Sequence, residues 1–278
     1  MKRYLLAVLT MALMFVYGIA MGATFTYTGA EQQYVVPRGV SSVKVYIVGA
    51  QGNGPMLDNI CWGGEGGTVT IKELSVTPGE TIYINVGGYT GWPNGGTANG
   101  KYQGGGSSDV RQGGNAISDI VALAGGGGGG DNGISNGNHA GYGGDYSHMR
   151  TLMDGAPSLG YLGGKGGQET TGGAGAVGRI SNGSDGSFFQ GGAAGAGLAT
   201  DLLGGNGGGG YYGGGGAGNY GSGAPPNTNG AGGGGGDSYV KEGIDASYSS
   251  YGPGWMSPRN GFVTIGSPWR DGQSAPLY

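Results

Sequence analysis

Few residues in this sequence are equipped for chemistry, and they lie far apart. His139 and His148 are its two histidines, without the spacing of a zinc pair and without cysteine partners. Cys61 is the single cysteine. A reactive thiol needs a histidine partner and a lowered pKa, so Cys61, beside Trp62, reads as a small buried hydrophobe. The string Gly95-Gly-Thr-Ala-Asn-Gly100-Lys101 approaches a phosphate-binding loop. Tyr102 follows it where a Mg²⁺-ligating Ser or Thr would stand, and no strand–turn–helix context surrounds it. Asp131, Asp185 and Asp237 sit among Gly and Asn, as in oxygen-rich calcium loops, yet the tandem nonapeptide period of such loops is missing. No Ser, His and Asp arrangement stands out, and the carboxylates are too scattered to locate a glycosidase pair. Asn182-Gly-Ser184 is a glycosylation sequon. These patterns predict no catalysis, no cofactor and no metal site.

Two features remain as candidates. Asp109 and Arg111 are two residues apart, on one face if the segment is extended. They form either a ligand contact or an internal ion pair, and the structural pair is the expected one. The second feature is a set of aromatics flanked by glycine: Tyr142, Tyr146, Tyr161, Tyr211, Tyr212, Tyr220 and Trp92. Such rings either cap packed glycine segments or stand at loop tips, where Tyr and Trp make adhesive surfaces at low entropic cost.

The elements that must position these residues read as β structure. Thr24–Thr28 and Gln33–Val36 are β-branched and aromatic, and Pro37-Arg-Gly39 is a turn signal. Ser42–Val48 alternates, with Val43, Val45 and Ile47 on one face. Gly67–Val76, the turn Thr77-Pro-Gly79 and Thr81–Val86 predict a hairpin-like pair. Ile117–Ala124, Tyr239-Val240 and Phe262–Ile265 are further strands. Tyr146–Met153 fits a short helix or a strand equally.

Residues 1–23 carry a basic start (Lys2, Arg3), an apolar stretch Leu5–Val16 and small residues Gly18, Ala20, Gly22 and Ala23. This is the pattern of a cleaved signal peptide, cut after Ala20, Gly22 or Ala23. The formal charge of the whole chain is −4, and without Lys2 and Arg3 eleven bases face seventeen acids, or −6. An acidic chain with scattered bases has no footprint for nucleic acid. After the leader, no stretch is long and apolar enough for a membrane span.

Glycine dominates residues 87–236. The chain has 75 Gly, against a usual share of about 7%. Glycine loses the most backbone entropy on folding, so an ordered block must recover it through hydrogen bonds between close-packed chains. There is no strict G-X-Y period, which excludes collagen. Runs such as Gly207–Gly210, Gly213–Gly216 and Gly232–Gly236 suit polyglycine-II-type helices, three residues per turn, packed as a bundle. Such a composition also flags disorder, against which stand 18 Tyr, 4 Trp and 5 Phe. Whether the block is ordered stays open at this level.

The ordered series of pieces resembles a known family. Tyr27-Thr-Gly-Ala-Glu-Gln-Gln-Tyr-Val-Val-Pro-Arg-Gly-Val40 and Val43-Lys-Val-Tyr-Ile-Val-Gly-Ala50 open it. Gly104-Gly-Gly-Ser-Ser-Asp-Val-Arg111 and Ile120-Val-Ala-Leu-Ala-Gly125 with the glycines to Gly130 follow, then Gly207–Gly216 around Tyr211 and Tyr212. Ala231–Tyr239 and Gly261-Phe-Val-Thr-Ile265 close it. This is similar to the glycine-rich extracellular domain of the anaplastic lymphoma kinase and leukocyte tyrosine kinase receptors, over nearly all of residues 24–266. The resemblance implies an antiparallel β-sandwich of jelly-roll, TNF-like type with an inserted bundle of polyglycine-II-type helices. It does not carry over the receptors' signalling role, since the kinase domain, membrane helix and cysteine framework are missing here.

The sequence therefore predicts a mainly β protein with very little helix beyond the leader. It divides into a signal peptide (1–23), a glycine-rich domain (24–266) with β strands at about 24–86 and 237–266 bracketing the glycine block at about 87–236, and a tail (267–278). The expected role is a secreted or cell-surface, adhesin-like module that contacts an extracellular protein or glycan. The alternatives are a structural matrix component that self-associates and, third, a carbohydrate-active enzyme.

Overall fold

The computed structural model describes residues 22–54, 56–57, 60–61, 63–97, 102–130, 140–144, 152–155, 162–196, 204–219, 231–250 and 259–266. Residues 1–21 of the leader, the tail 267–278, Trp62, Asp131, His139, Tyr146, His148, Tyr161 and Tyr220 lie outside the described residues, as does most of Tyr146–Met153.

Twelve strands are described: β1 (Ala23–Thr26), β2 (Gln32–Val35), β3 (Ser42–Val48), β4 (Met56–Leu57), β5 (Ile60–Cys61), β6 (Gly67–Ser75), β7 (Thr81–Asn85), β8 (Ser108–Gln112), β9 (Ile120–Ala124), β10 (Tyr239–Val240), β11 (Ala246–Ser250) and β12 (Phe262–Gly266). They form two five-stranded antiparallel sheets, β1-β12-β3-β6-β11 and β10-β9-β8-β7-β2, and the small pair β4-β5. A 3₁₀ turn, Ile117–Asp119, precedes β9. The molecule is thus mainly β, with almost no helix.

Alternation places the core. Val43, Val45 and Ile47 of β3, Val69 and Ile71 of β6, and Val263 and Ile265 of β12 are buried from the first sheet. Ile82 and Ile84 of β7, Val110 of β8, and Ala122 and Ala124 of β9 are buried in the same cluster from the second. Each full burial of such an aliphatic side chain contributes about 1.5–3 kcal/mol.

The expected hairpin of Gly67–Val76 with Thr81–Val86 is not formed. β6 pairs with β3 and β11, whereas β7 pairs with β2 and β8. Both strands carry one apolar face, and the turn between them moves the chain from one sheet to the other so that those faces meet. In that turn the Glu80 N–H donates to the Thr77 carbonyl at 2.9 Å. Pro78 takes the second position and Gly79, with φ 83°, the third, which is a type II turn. The connection from β2 to β3 is built alike: the Val40 N–H donates to Pro37 at 3.2 Å and Gly39 has φ 80°. β8 and β9 both arise within the stretch expected to be glycine block, and they supply the middle of the second sheet.

The described glycine runs are knitted together by backbone hydrogen bonds in a threefold pattern. In Gly126–Gly130, the amides of Gly126 and Gly129 donate to Gly209 and Asn206, those of Gly127 and Gly130 to Ala50 and Asn53, and that of Gly128 to Gly141. In the closing run, Gly233 and Gly236 donate to Gly129 and Gly126, Gly234 and Asp237 to Gly215 and Tyr212, and Gly235 and Ser238 to Met153 and Gly144. In both runs the amides three apart address the same neighbouring segment, save that Gly235 and Ser238 reach two different ones, so these runs are held from three sides.

Glycine is needed here for space and not for its φ range. A Cβ on Gly127 would lie 1.9 Å from the Gly64 carbonyl oxygen, one on Gly234 1.9 Å from that of Lys165, and one on Gly208 2.1 Å from that of Gly126. Among the described glycines, positive φ is confined to Gly29, Gly39, Gly79, Gly91, Gly113 and Gly243, all outside these runs.

Candidate binding site

Asp109 and Arg111 lie on β8 with Val110 between them, so the period of two sends Val110 into the core and the pair to the opposite face. Asn85, Asp109, Leu123 and Tyr239 are register partners in one row across β7, β8, β9 and β10. Asn85, Asp109 and Leu123 are buried although they point away from the core. Part of the glycine-rich segment covers this second face.

Asp109 is fully enclosed. Arg111 Nε donates to its Oδ1 at 2.7 Å and Nη2 to its Oδ2 at 3.2 Å, while Asn85 Nδ2 donates to Oδ1 at 3.2 Å. Arg111 Nη1 also donates to the Asn115 carbonyl at 2.5 Å. Burial pushes the Asp109 carboxyl above its ordinary range, opposed by the hydrogen bonds and charge of Arg111 and by the Asn85 amide. The bidentate geometry uses the guanidinium up locally, so it offers no free cation to a ligand.

Over Arg111 lies the ring of Phe189, 5.9 Å from the guanidinium carbon. Phe189 belongs to a two-residue loop, Phe188-Phe189, closed by reciprocal hydrogen bonds: Ser187 N–H to the Gln190 carbonyl at 2.8 Å and Gln190 N–H to Ser187 at 3.2 Å. Phe189 has φ 56°, the positive-φ non-glycine among the described residues. An aromatic residue there is strained by about 1–3 kcal/mol. The Phe189 N–H donates to the Tyr211 carbonyl at 3.0 Å and helps hold it.

Tyr211 and Tyr212 run beside this loop, where the chain leaves one glycine run and enters the next. The Tyr211 N–H donates to Asp237 at 3.0 Å, and the Asp237 N–H to Tyr212 at 2.9 Å. Tyr211 stacks on Tyr239 with centroids 4.0 Å apart and planes at 9°. Phe188 meets Tyr211 edge-on at 5.2 Å and 88°, and Tyr212 at 5.7 Å and 65°. Tyr211 and Tyr212 stand at 83° to each other. Burial raises the pKa of Tyr211, with the neighbouring Tyr239 and Tyr212 adding to it; its hydroxyl is neutral at physiological pH and serves as donor and acceptor.

The cluster has two sides. Phe189, Tyr211 and Tyr239 are half-buried and roof the second sheet, whereas Phe188 is 49% exposed. Of the rings named from sequence, Tyr211 and Tyr212 are both half-buried, and the ring displayed to solvent is that of Phe188.

Of the other aromatics named from sequence, Tyr142 is half-buried in the glycine block. Burial, followed by the charge of Glu65, raises its pKa. Trp92 is half-buried and packs edge-on against Tyr27 at 6.0 Å. Neither contacts the Tyr211–Tyr212 cluster through a ring. Phe188, Phe189 and Tyr239 were missed; the signal available was that two of only five Phe are adjacent within a glycine-rich stretch.

A groove of about 890 Å³ opens beside the β10–β11 connection. Lys44, Lys72 and Lys241 line it together with Glu73, Glu242 and Asp245, and Lys72 pairs with Asp245 at 3.1 Å in solvent. Such a balance of signs selects no ligand charge.

Two sheets with one shared core, joined to backbone-packed glycine runs that carry an aromatic surface, define a glycine-rich β protein. Residues 26–256 match the glycine-rich domain family, and the chain belongs to it. No curated protein matches it in sequence.

Proposed function

We propose that this chain is a non-catalytic extracellular binding module, adhesin-like, exported by the leader at 1–23 and contacting an extracellular protein or glycan through the aromatic surface around Phe188 and Tyr212. One observation carries the reading. In a chain with 75 glycines, a loop position at φ 56° is occupied by Phe, where Gly or Asn would be relaxed. Strain of this kind persists only where the surroundings over-determine it and is enriched at binding sites; here it sits beside the exposed ring of Phe188.

In the same reading, the two sheets are a β-sandwich of jelly-roll type, and the glycine runs are polyglycine-II-type helices, as the likeness to the receptors' glycine-rich domain implies. The threefold alternation of hydrogen-bond partners supports this, because a helix of three residues per turn presents every third amide to the same neighbour. The bundle is a rigid mount that holds the aromatic loop without help from a large apolar core.

The test has two parts. The protein is recovered from its producing cells by fractionation and its N-terminus sequenced; an exported chain beginning between Met21 and Thr24 is expected, and a cytoplasmic chain beginning at Met1 would overturn the extracellular reading. Sedimentation velocity over increasing concentration should then show one non-associating species that binds cell surfaces saturably. Growth into open-ended assemblies would favour a self-associating structural component instead.

A further inference from the structure

We infer that the corner formed by Phe188 and Tyr212 is a stacking site for neutral pyranose rings, so that the ligand is an uncharged glycan. This rests on the reading of the chain as a binding module and names its ligand class.

The rings supply the first argument. Phe188 projects from the tip of a two-residue loop and is 49% exposed. Its ring stands at 65° to Tyr212 and 88° to Tyr211, so the cluster offers faces in different directions instead of one flat plate. An aromatic face carries partial negative charge. The C–H groups on the apolar face of a pyranose carry the opposite sign, and its hydroxyls project sideways, within reach of phenols. Tyr211 and Tyr212 place two hydroxyl-bearing rings against one phenyl, with Tyr239 stacked on Tyr211.

Charge supplies the second argument. The cation that lies against the cluster, Arg111 over the Phe189 ring, is committed to Asp109 and to the Asn115 carbonyl. It cannot serve phosphate, sulfate or carboxylate groups, and the chain as a whole is acidic at −4. The rim is polar and uncharged at Ser187 and Gln190. Among the described residues, these rings therefore meet no uncommitted cation that would favour nucleic acid, acidic glycans or anionic lipid surfaces.

Size supplies the third. A stable protein interface buries about 800 Å² per partner over roughly 20–30 residues. Among the described residues, the exposed apolar surface at this corner is essentially one phenyl ring with its half-buried tyrosine neighbours, set among Gly, Ser and Gln. That matches one or two sugar rings of a longer chain.

The experiment uses the full exported chain, titrated with cellohexaose, chitohexaose, laminarihexaose and mannohexaose by calorimetry and tyrosine fluorescence at low and high NaCl. Saturable binding of at least one of these, insensitive to salt, is expected. Phe188→Ala should weaken it about tenfold or more, while Phe188→Tyr, which keeps the ring, should retain it. An unchanged circular dichroism spectrum in both variants separates a lost site from a lost fold. Failure of all four oligosaccharides to bind, or binding that Phe188→Ala leaves intact, overturns the glycan assignment. If the chain binds cells in a manner abolished by protease and untouched by periodate oxidation of the cell-surface sugars, the ligand is a protein: the glycan assignment falls and the binding-module reading stands. If the chain only self-associates, both fall.

Discussion

Ile71 and Gly234 are both enclosed, but by different matter. Ile71 is fully buried on β6 among side chains from both sheets, including Val45, Ile82 and Val263 in one cluster. Gly234 is enclosed by backbone: its amide donates to the Gly215 carbonyl at 3.0 Å, and the position of an added methyl is 1.9 Å from the Lys165 carbonyl oxygen. In the sheets, stability grows with the apolar volume buried. In the glycine block it depends on there being no side chain at the enclosed glycines, since a Cβ there would part the chains whose hydrogen bonds hold it, although Ala217 and Ala231 show that single positions between the runs admit a methyl. One molecule thus contains a region that fails by losing atoms and a region that fails by gaining them.

The largest effect should come from Gly234→Ala. Its Cβ would also lie 2.3 Å from the Lys165 carbonyl carbon, whereas ordinary contact begins near 3.4 Å. Because the obstacle is backbone fixed on several sides, no rotamer change can relieve it. A loss of more than about 4 kcal/mol is expected in urea denaturation, in the class of exceptional single substitutions. Faster amide exchange should follow at Gly208, which donates to the Gly234 carbonyl, and at Gly214, which donates to that of Gly208. A variant within about 1 kcal/mol of the parent would refute backbone-limited packing.

Ile71→Ala should follow, at about 2–5 kcal/mol, with Ile71→Val at about 0.5–1.5 kcal/mol. The graded response is the mark of the side-chain core, and its amide-exchange effects should centre on β3, β6 and β12. Gly79→Ala sharpens the contrast. This glycine has φ +83° and nothing within 4 Å of an added Cβ, so only backbone strain acts, about 1–2 kcal/mol. If Gly79→Ala cost as much as Gly234→Ala, φ rather than space would explain the glycines.

Much of the sheet architecture is legible because β3, β7 and β12 alternate and β9 is a short apolar run. β11 is not, since Ala246–Ser250 has no apolar alternation. It is fastened partly through hydroxyls, with Thr68 Oγ1 and Ser249 Oγ 2.6 Å apart. β8 is hidden for another reason: it offers one apolar residue, Val110, between two charges, and although the Asp109–Arg111 pair is legible, the covering that makes its face a second interior, by Phe189 and the tyrosines, is not. The Tyr211-Tyr212 pair stands out among glycines, but its partners Phe188 and Tyr239 come from segments that sequence spacing cannot bring together. The partner of each glycine run is equally unreadable, because runs of identical residues carry no register of their own.

The smallest effect concerns phenols, which both regions bury. Tyr34 on β2, Tyr142 in the glycine block and Tyr211 at the aromatic corner all have pKa values raised by burial. A phenol whose folded pKa exceeds its unfolded value of about 10 contributes stability that is fully present below pH 10 and is lost as pH rises through the folded value. Alkaline denaturation should therefore set in above about pH 10, and absorbance at alkaline pH should show a late-ionising fraction of tyrosines. Tyr239→Phe removes a phenol that adds to the shift of Tyr211, leaving burial as the main cause. It should move Tyr211 to slightly earlier ionisation and leave Tyr34 and Tyr142 in place. If all three moved together, the phenols would be reporting a common opening of the molecule, and the sheets and the glycine block would be one cooperative unit rather than two differently packed regions.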